Sequence, residues 1–125
     1  MAKQLTIQET ASQTGLSAHT LRYYEKIGLI PPVGRAPSGH RRYSDSDLEW
    51  IDLLKRLRDT GMPVAQMIEF TRLTHAGDGT IRQRLAILKA HRETVIQEIQ
   101  ALQDDLSIID FKIDWYSNWI REDES

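Results

Sequence analysis

Two short stretches hold the residue types that bind nucleic acid. The first is Leu16-Ser17-Ala18-His19-Thr20-Leu21-Arg22-Tyr23-Tyr24-Glu25-Lys26, which mixes hydroxyl, imidazole and guanidinium groups and contains no Gly or Pro. The second begins at Arg35 and ends in Ser38-Gly39-His40-Arg41-Arg42-Tyr43. An arginine can bond both acceptors of a guanine edge, and serine and tyrosine hydroxyls suit phosphate oxygens. Ser17, Ala18, His19, Arg22 and Tyr23 are therefore candidates to face a DNA groove or its walls, with Lys26, Arg35, His40, Arg41 and Arg42 adding basic charge beside them. Each stretch alone has a plainer reading, as the solvated polar face of an amphipathic helix or as solvated charge in a turn. An arginine pair one structural step after a basic helix favours DNA contact. Tyr43 has two readings, a DNA contact or an apolar staple in the core.

The flanking sequence supplies elements to position these groups. Thr6-Ile7-Gln8-Glu9 has capping-box spacing, which predicts a helix from about Ile7 to Gln13 ending at Gly15. Ser17 caps a second helix, with Leu21, Tyr24 and Ile27 turned inward and Gly28 as its stop. Two short helices joined through Gly15 match a helix-turn-helix. Pro31, Pro32, Gly34, Pro37 and Gly39 then interrupt regular helix. This segment is read as a two-stranded wing with Arg41 to Tyr43 as its return strand. Ser44 to Asp47 supply a cap and early acids for a third helix from about Asp45 to Thr60, with Leu48, Ile51, Leu54 and Leu57 at helical spacing. Pro63 suits the first turn of a fourth helix that ends near Thr74.

Charge is divided unevenly along the chain. The 125 residues carry a net charge of -2, with nine Lys/Arg against seven Asp/Glu in residues 1–62 (+2) and seven against eleven in residues 63–125 (-4). Residues 17–43 hold Arg22, Lys26, Arg35, Arg41 and Arg42 against Glu25 alone, a balance of +4. A local basic patch meets phosphates even when the whole chain is acidic. The absence of cysteine excludes disulfides, thiolate metal ligation and thiol redox sensing. Neither a long apolar run nor a leader pattern is present, so a cytoplasmic protein without a membrane partner is expected.

The second half carries a different pattern. His75 to Gly79 reads as a linker, with Thr80 as the next cap. Ile81, Leu85, Leu88, Val95, Ile99, Leu102, Leu106, Ile109 and Ile113 then recur at alternating steps of four and three, continued by Tyr116 and Ile120. Only Arg92 breaks this heptad seam, and no Gly or Pro interrupts it. At roughly 1.5 Å per residue the seam spans about 60 Å. Such a stripe needs a partner, and the simplest is a second copy, so a homodimer is expected. Arg92 fits a register-fixing polar group, or a side chain that reaches a partner carboxylate. The resulting fold class is mainly α: an N-terminal winged helix-turn-helix (1–74), a linker (75–79) and a long dimerising coiled-coil helix (80–125).

The chain resembles the MerR family of bacterial transcription regulators. The carrying residues are Thr6 to Ala11 with Gly15-Leu16-Ser17, Thr20-Leu21-Arg22-Tyr23-Tyr24-Glu25, Gly28-Leu29-Ile30, Gly39-His40-Arg41-Arg42-Tyr43-Ser44 and Thr60-Gly61-Met62-Pro63. The resemblance covers residues 5–73 closely and the tail in kind. It implies a dimer through an antiparallel coiled coil, binding to a promoter spacer, and distortion that brings polymerase-contacted elements into phase while RNA polymerase sits on the same promoter. It also implies DNA contacts by Arg22, Tyr24, Arg41 and Tyr43, and His40 stands where the family commonly has tyrosine or lysine. Thr60 to Pro63 and the compact tail look most like the aldehyde- or electrophile-responsive branch, whose covalent sensing would need a thiol. The drug-binding branch adds a further C-terminal domain, for which this chain is expected to be too short.

Neither a cofactor nor a metal is expected. His75 and Asp78 are read as solvent-facing linker residues rather than ligands. Trp115, Tyr116 and Trp119 are read as closing the coil by packing on the partner, the alternative being a stacking site for a planar ligand; Trp50 is read as core. An enzyme reading lacks a thiol nucleophile, a His pair at ligand spacing and a phosphate loop. Two other readings compete with transcription control: an architectural or recombination-accessory DNA-bending protein, and a protein-interaction module. The second of these leaves Arg22, Arg41 and Arg42 unexplained. Target genes, effector and direction of regulation are left open.

Overall fold

The structure is a computed structural model that describes residues 4–124. Helix α1 (Ile7–Thr14) starts where the capping box predicts. The Thr6 amide donates to Glu9 Oε1 at 3.0 Å and the Glu9 amide donates to Thr6 Oγ1 at 3.1 Å, satisfying two amides that the helix leaves without partners. Gly15 ends it at φ 78°, a left-handed conformation that a side chain disfavours. Helix α2 (Ala18–Lys26) follows at once, with Ser17 Oγ accepting the Thr20 amide at 3.0 Å. Leu21 and Tyr24 point inward from α2, and buried Thr10 of α1 avoids a desolvation cost by donating to the Thr6 carbonyl. Ile27, read as inward, is half-buried.

Strands β1 (Gly34–Arg35) and β2 (Arg41–Arg42) form the wing, paired antiparallel with Gly34 opposite Arg42 and Arg35 opposite Arg41. Its tip closes through an Ala36 amide to His40 carbonyl bond and a Gly39 amide to Ala36 carbonyl bond. The return strand is one residue shorter than predicted. Tyr43 leaves the wing and bridges Leu5, each amide donating to the other's carbonyl at 2.8 Å. The wing is thereby anchored to the segment that enters α1.

Helix α3 (Asp45–Asp59) has its own capping box between Ser44 and Asp47. It buries Ile51, Leu54 and Leu57 against the helix pair, while Leu48 is half-buried. Helix α4 (Val64–His75) begins after Pro63 and buries Met67, Phe70, Thr71 and Leu73. Trp50 of α3 ties two regions together. Its indole donates to the Leu29 carbonyl at 2.8 Å and its ring stacks on Phe70 with centroids 5.8 Å apart, a packing role as read from the sequence.

The expected linker contracts. Helix α4 includes His75, and a 3-10 turn at Asp78–Thr80 leads directly into α5 (Ile81–Glu124). Thr80 does not cap α5: its hydroxyl's one proton is shared between the carbonyls of Leu73 and Gly77, which ties the turn back to α4. The chain divides into two compact units after Leu85. Along its 44 residues α5 has no buried residue. No helix is long and apolar enough to cross a membrane among the described residues.

Candidate nucleic-acid interface

Helix α2 turns His19, Arg22, Tyr23 and Lys26 to solvent. His19 lies three and four residues before Arg22 and Tyr23, and Lys26 four and three after them, so the four share one broad helical face. Tyr23, at 50 % exposure, is a large apolar ring left on the surface of a head whose other tyrosines are buried. Ser17 caps the helix, its hydroxyl also reaching Thr20 Oγ1 at 2.9 Å, and Ala18 is half-buried. A groove-facing role for Ser17 would have to be shared with this capping bond.

The wing meets α2 across a cleft of about 410 Å³. Arg22 lines it from α2, Arg35, His40, Arg41 and Arg42 line it from the wing, and Thr6, Ile7 and Gln8 line it from the start of α1. Five of the sequence-predicted residues therefore converge on one concavity. Arg22 is exposed and lines the cleft from the helix side. Arg42 Nη1 donates to the Arg41 carbonyl at 2.9 Å. At the wing tip Arg35 Nη1 donates to the Gly39 carbonyl at 2.9 Å, and Ser38 Oγ lies 2.9 Å from His40 Nδ1. Lys26 does not reach this cleft; it lines a separate, shallower one with Glu25, Gly28, Ile30, Pro31, Pro32 and His75. His19 and Tyr23 also lie outside the arginine cleft, on the open face of α2.

The head's two other tyrosines are buried. Tyr43 is fully buried, so a direct DNA contact gives way to the core-staple alternative. Burial foremost, and then the nearby Glu25 carboxylate, push its phenol pKa above the ordinary value, against a smaller opposing effect of Arg41 and Arg22. Its hydroxyl is the one buried side-chain polar atom without a hydrogen-bond partner among the described residues. Tyr24 is also buried, at 5 % exposure, and its hydroxyl accepts from Arg58 Nη1 at 3.0 Å. A phosphate contact by Tyr24 would share that hydroxyl with Arg58.

Arg58 and Glu25 are the residues that sequence reasoning left out. Arg58 comes from the end of α3, 34 residues from the tyrosine it meets, and no local spacing signals that pairing. Glu25 entered as a charge to subtract and as part of the motif that carries the family resemblance, with no role of its own in the site. In the fold its side chain is mostly buried and bonded to Arg41 of the wing. No group of three or more potential metal ligands occurs among the described residues.

An exposed basic helix face, a wing set beside it and an arginine-lined cleft between them define a winged helix-turn-helix DNA-binding protein. The chain belongs to the MerR family: the model of the MerR HTH family regulatory proteins matches residues 5–73. An uncharacterized HTH-type transcriptional regulator of Haemophilus influenzae is 39 % identical over 111 residues, covering 89 % of this chain and 82 % of the relative. The transcriptional regulator AdhR of Bacillus subtilis is 44 % identical over 93 residues, covering 74 % of this chain and 66 % of its own. Among solved structures, HiNmlR, a MerR family regulator described as lacking the sensor domain and bound to promoter DNA, is 37 % identical. It superposes with a TM-score of 0.84, covering 93 % of this chain and 92 % of that one. The protein is a DNA-binding transcriptional regulator, and the architectural alternative finds no support among these relatives.

Proposed function

We propose that the protein binds promoter DNA as a homodimer, each copy setting α2 and its wing on one half-site, and controls transcription by distorting the spacer between them. The observation that carries this reading is the convergence of Arg22, Arg35, Arg41 and Arg42 on one cleft beside an exposed helix face. Arg22 projects from the exposed face of α2 and is the residue assigned to a base edge. Arg41 and Arg42 are assigned to the backbone, where they fix register without reading sequence. Arg58, half-exposed and bonded to Tyr24, extends the basic surface beyond α2.

The second copy is argued from α5. Ile81, Leu85, Ile99, Leu102, Leu106, Ile109 and Ile113 are each about half exposed or more, while Leu88 and Val95 are half-buried. Wetting that stripe costs about 25 cal/mol for each Å² of apolar surface, and a matching stripe removes the cost. Charge argues for an antiparallel partner. Residues 81–100 hold Arg82, Arg84, Lys89 and Arg92 against Glu93 and Glu98, a balance of +2. Residues 101–125 hold Lys112 and Arg121 against Asp104, Asp105, Asp110, Asp114, Glu122, Asp123 and Glu124, a balance of -5. Parallel pairing aligns acid with acid, whereas antiparallel pairing sets the acidic end beside the basic one. RNA polymerase is the expected companion on the same promoter, because a distorted spacer acts through the elements polymerase reads.

Sedimentation of the protein with and without a promoter duplex from upstream of its own gene tests the reading. The expected result is a dimer in both states and two chains per duplex. A monomer that binds one chain per duplex with full affinity would refute it.

A further inference from the structure

An acid lies inside the surface that has to meet phosphates. Glu25 is the only acidic residue between Ser17 and Tyr43, and an exposed carboxylate there would repel DNA. Its side chain is not exposed, at 14 % accessibility, and its two oxygens serve different strands of the wing. Oε2 accepts from Arg41 Nε of β2 at 2.7 Å, and Oε1 lies 3.9 Å from Arg35 Nη2 of β1. Arg35 in turn holds the wing tip through the Gly39 carbonyl. One carboxylate at the end of α2 thus links that helix to both strands of a wing whose own ladder is only two residues per strand.

We propose that Glu25 is the positioning residue of the DNA interface: it locks the wing arginines to α2, so that helix and wing meet DNA in one fixed geometry. The proposal rests on the reading of this face as the DNA surface. The bond through Nε leaves the Nη groups of Arg41 for phosphate, and a guanidinium gripped on one edge is oriented on the other. The carboxylate offsets part of the local positive charge, which weakens contacts with any duplex. What it supplies is orientation, and orientation benefits a duplex whose phosphates are in the matching places. Specificity is the quantity it governs.

The test measures affinity of the full chain and its variants for a duplex of its own promoter and for a random duplex, over a range of salt. Glu25→Gln keeps the shape and removes the charge. It is expected to weaken promoter binding about tenfold, while binding to random DNA stays equal or tightens. Glu25→Gln combined with Arg41→Ala is expected to bind the promoter no more weakly than Arg41→Ala alone, because the two residues act as one unit. Equal loss on both duplexes, or full additivity, would overturn the proposal and reduce Glu25 to a fold-stabilising residue. If Arg41→Ala binds the promoter as the unmodified protein does, the face itself is misassigned and the proposal falls with it. A second measurement needs no variant that must fold: side-chain ¹⁵N relaxation at Arg41 Nε in the unmodified protein. Order matching the backbone, with and without the promoter duplex, supports the lock. Mobility equal to that of the exposed Arg82 overturns it.

Discussion

The N-terminal unit and the long helix use the same apolar periodicity to opposite ends. In α3, residues spaced by three bury Ile51 and Leu54 completely and Leu57 nearly so, because α1 and α4 pack on the same helix. In α5, Leu102, Leu106 and Ile109 keep 68 %, 55 % and 55 % of their surface exposed, because nothing in the chain's own second unit packs on them. Periodicity specifies a helix and a face; it does not specify what covers the face. The head completes its own core, whereas the tail offers half of one.

That contrast breaks most sharply at the seam. Ile99→Asp combined with Leu102→Asp puts charge into the proposed dimer stripe and is expected to raise the dimer dissociation constant on the order of a thousandfold. The thermal transition of the head is expected to stay in place. Size-exclusion chromatography with light scattering reads the first and calorimetry the second; a dimer that survives would put the contact elsewhere. Ile51→Ala reverses the pattern. It is expected to destabilise the head by about 2–5 kcal/mol through a core cavity, with helical content of α5 retained in the dimer. Denaturant unfolding followed by circular dichroism would detect both, and unaltered stability would contradict the closed core.

Smaller effects divide the DNA surface itself. Arg22→Ala is expected to cost about 1–3 kcal/mol on promoter DNA and far less on random duplex, as read by fluorescence anisotropy. Equal losses on both would move Arg22 from base to backbone. Tyr43→Phe is expected to change stability by no more than about 1 kcal/mol, and in the stabilising direction, because it deletes a buried hydroxyl without a partner. Its promoter affinity is expected to be unaltered. A marked loss of binding would return Tyr43 to the contact surface.

What the sequence made legible was local. Thr6 with Glu9, and Ser44 with Asp47, mark helix starts because each capping box closes within four residues. Gly15 and Pro63 mark boundaries because their backbone conformations are restricted or unusual. Arg22, Arg35, His40, Arg41 and Arg42 could be gathered as site candidates because they lie in one basic stretch. The missed features are pairings between distant residues. Glu25 and Arg41 are 16 residues apart and Tyr24 and Arg58 are 34 apart, and only the folded head brings them together. Tyr43 had two readings because a wing tyrosine faces either side of its strand, and its complete burial places the ring in the core. Thr80 misled for a related reason. A threonine before a helix is ordinarily a cap, but the carbonyls of Leu73 and Gly77 attract its hydroxyl backwards.

We propose that two copies, joined through their long helices, grip a promoter spacer and deform it. Hydroxyl-radical footprinting of the purified protein on DNA upstream of its own gene and its neighbours examines this directly. Two protected half-sites related by a two-fold axis are expected, with distorted base pairs at the centre, between the two elements that polymerase contacts. A single protected half-site, or an undistorted site away from those elements, would contradict it.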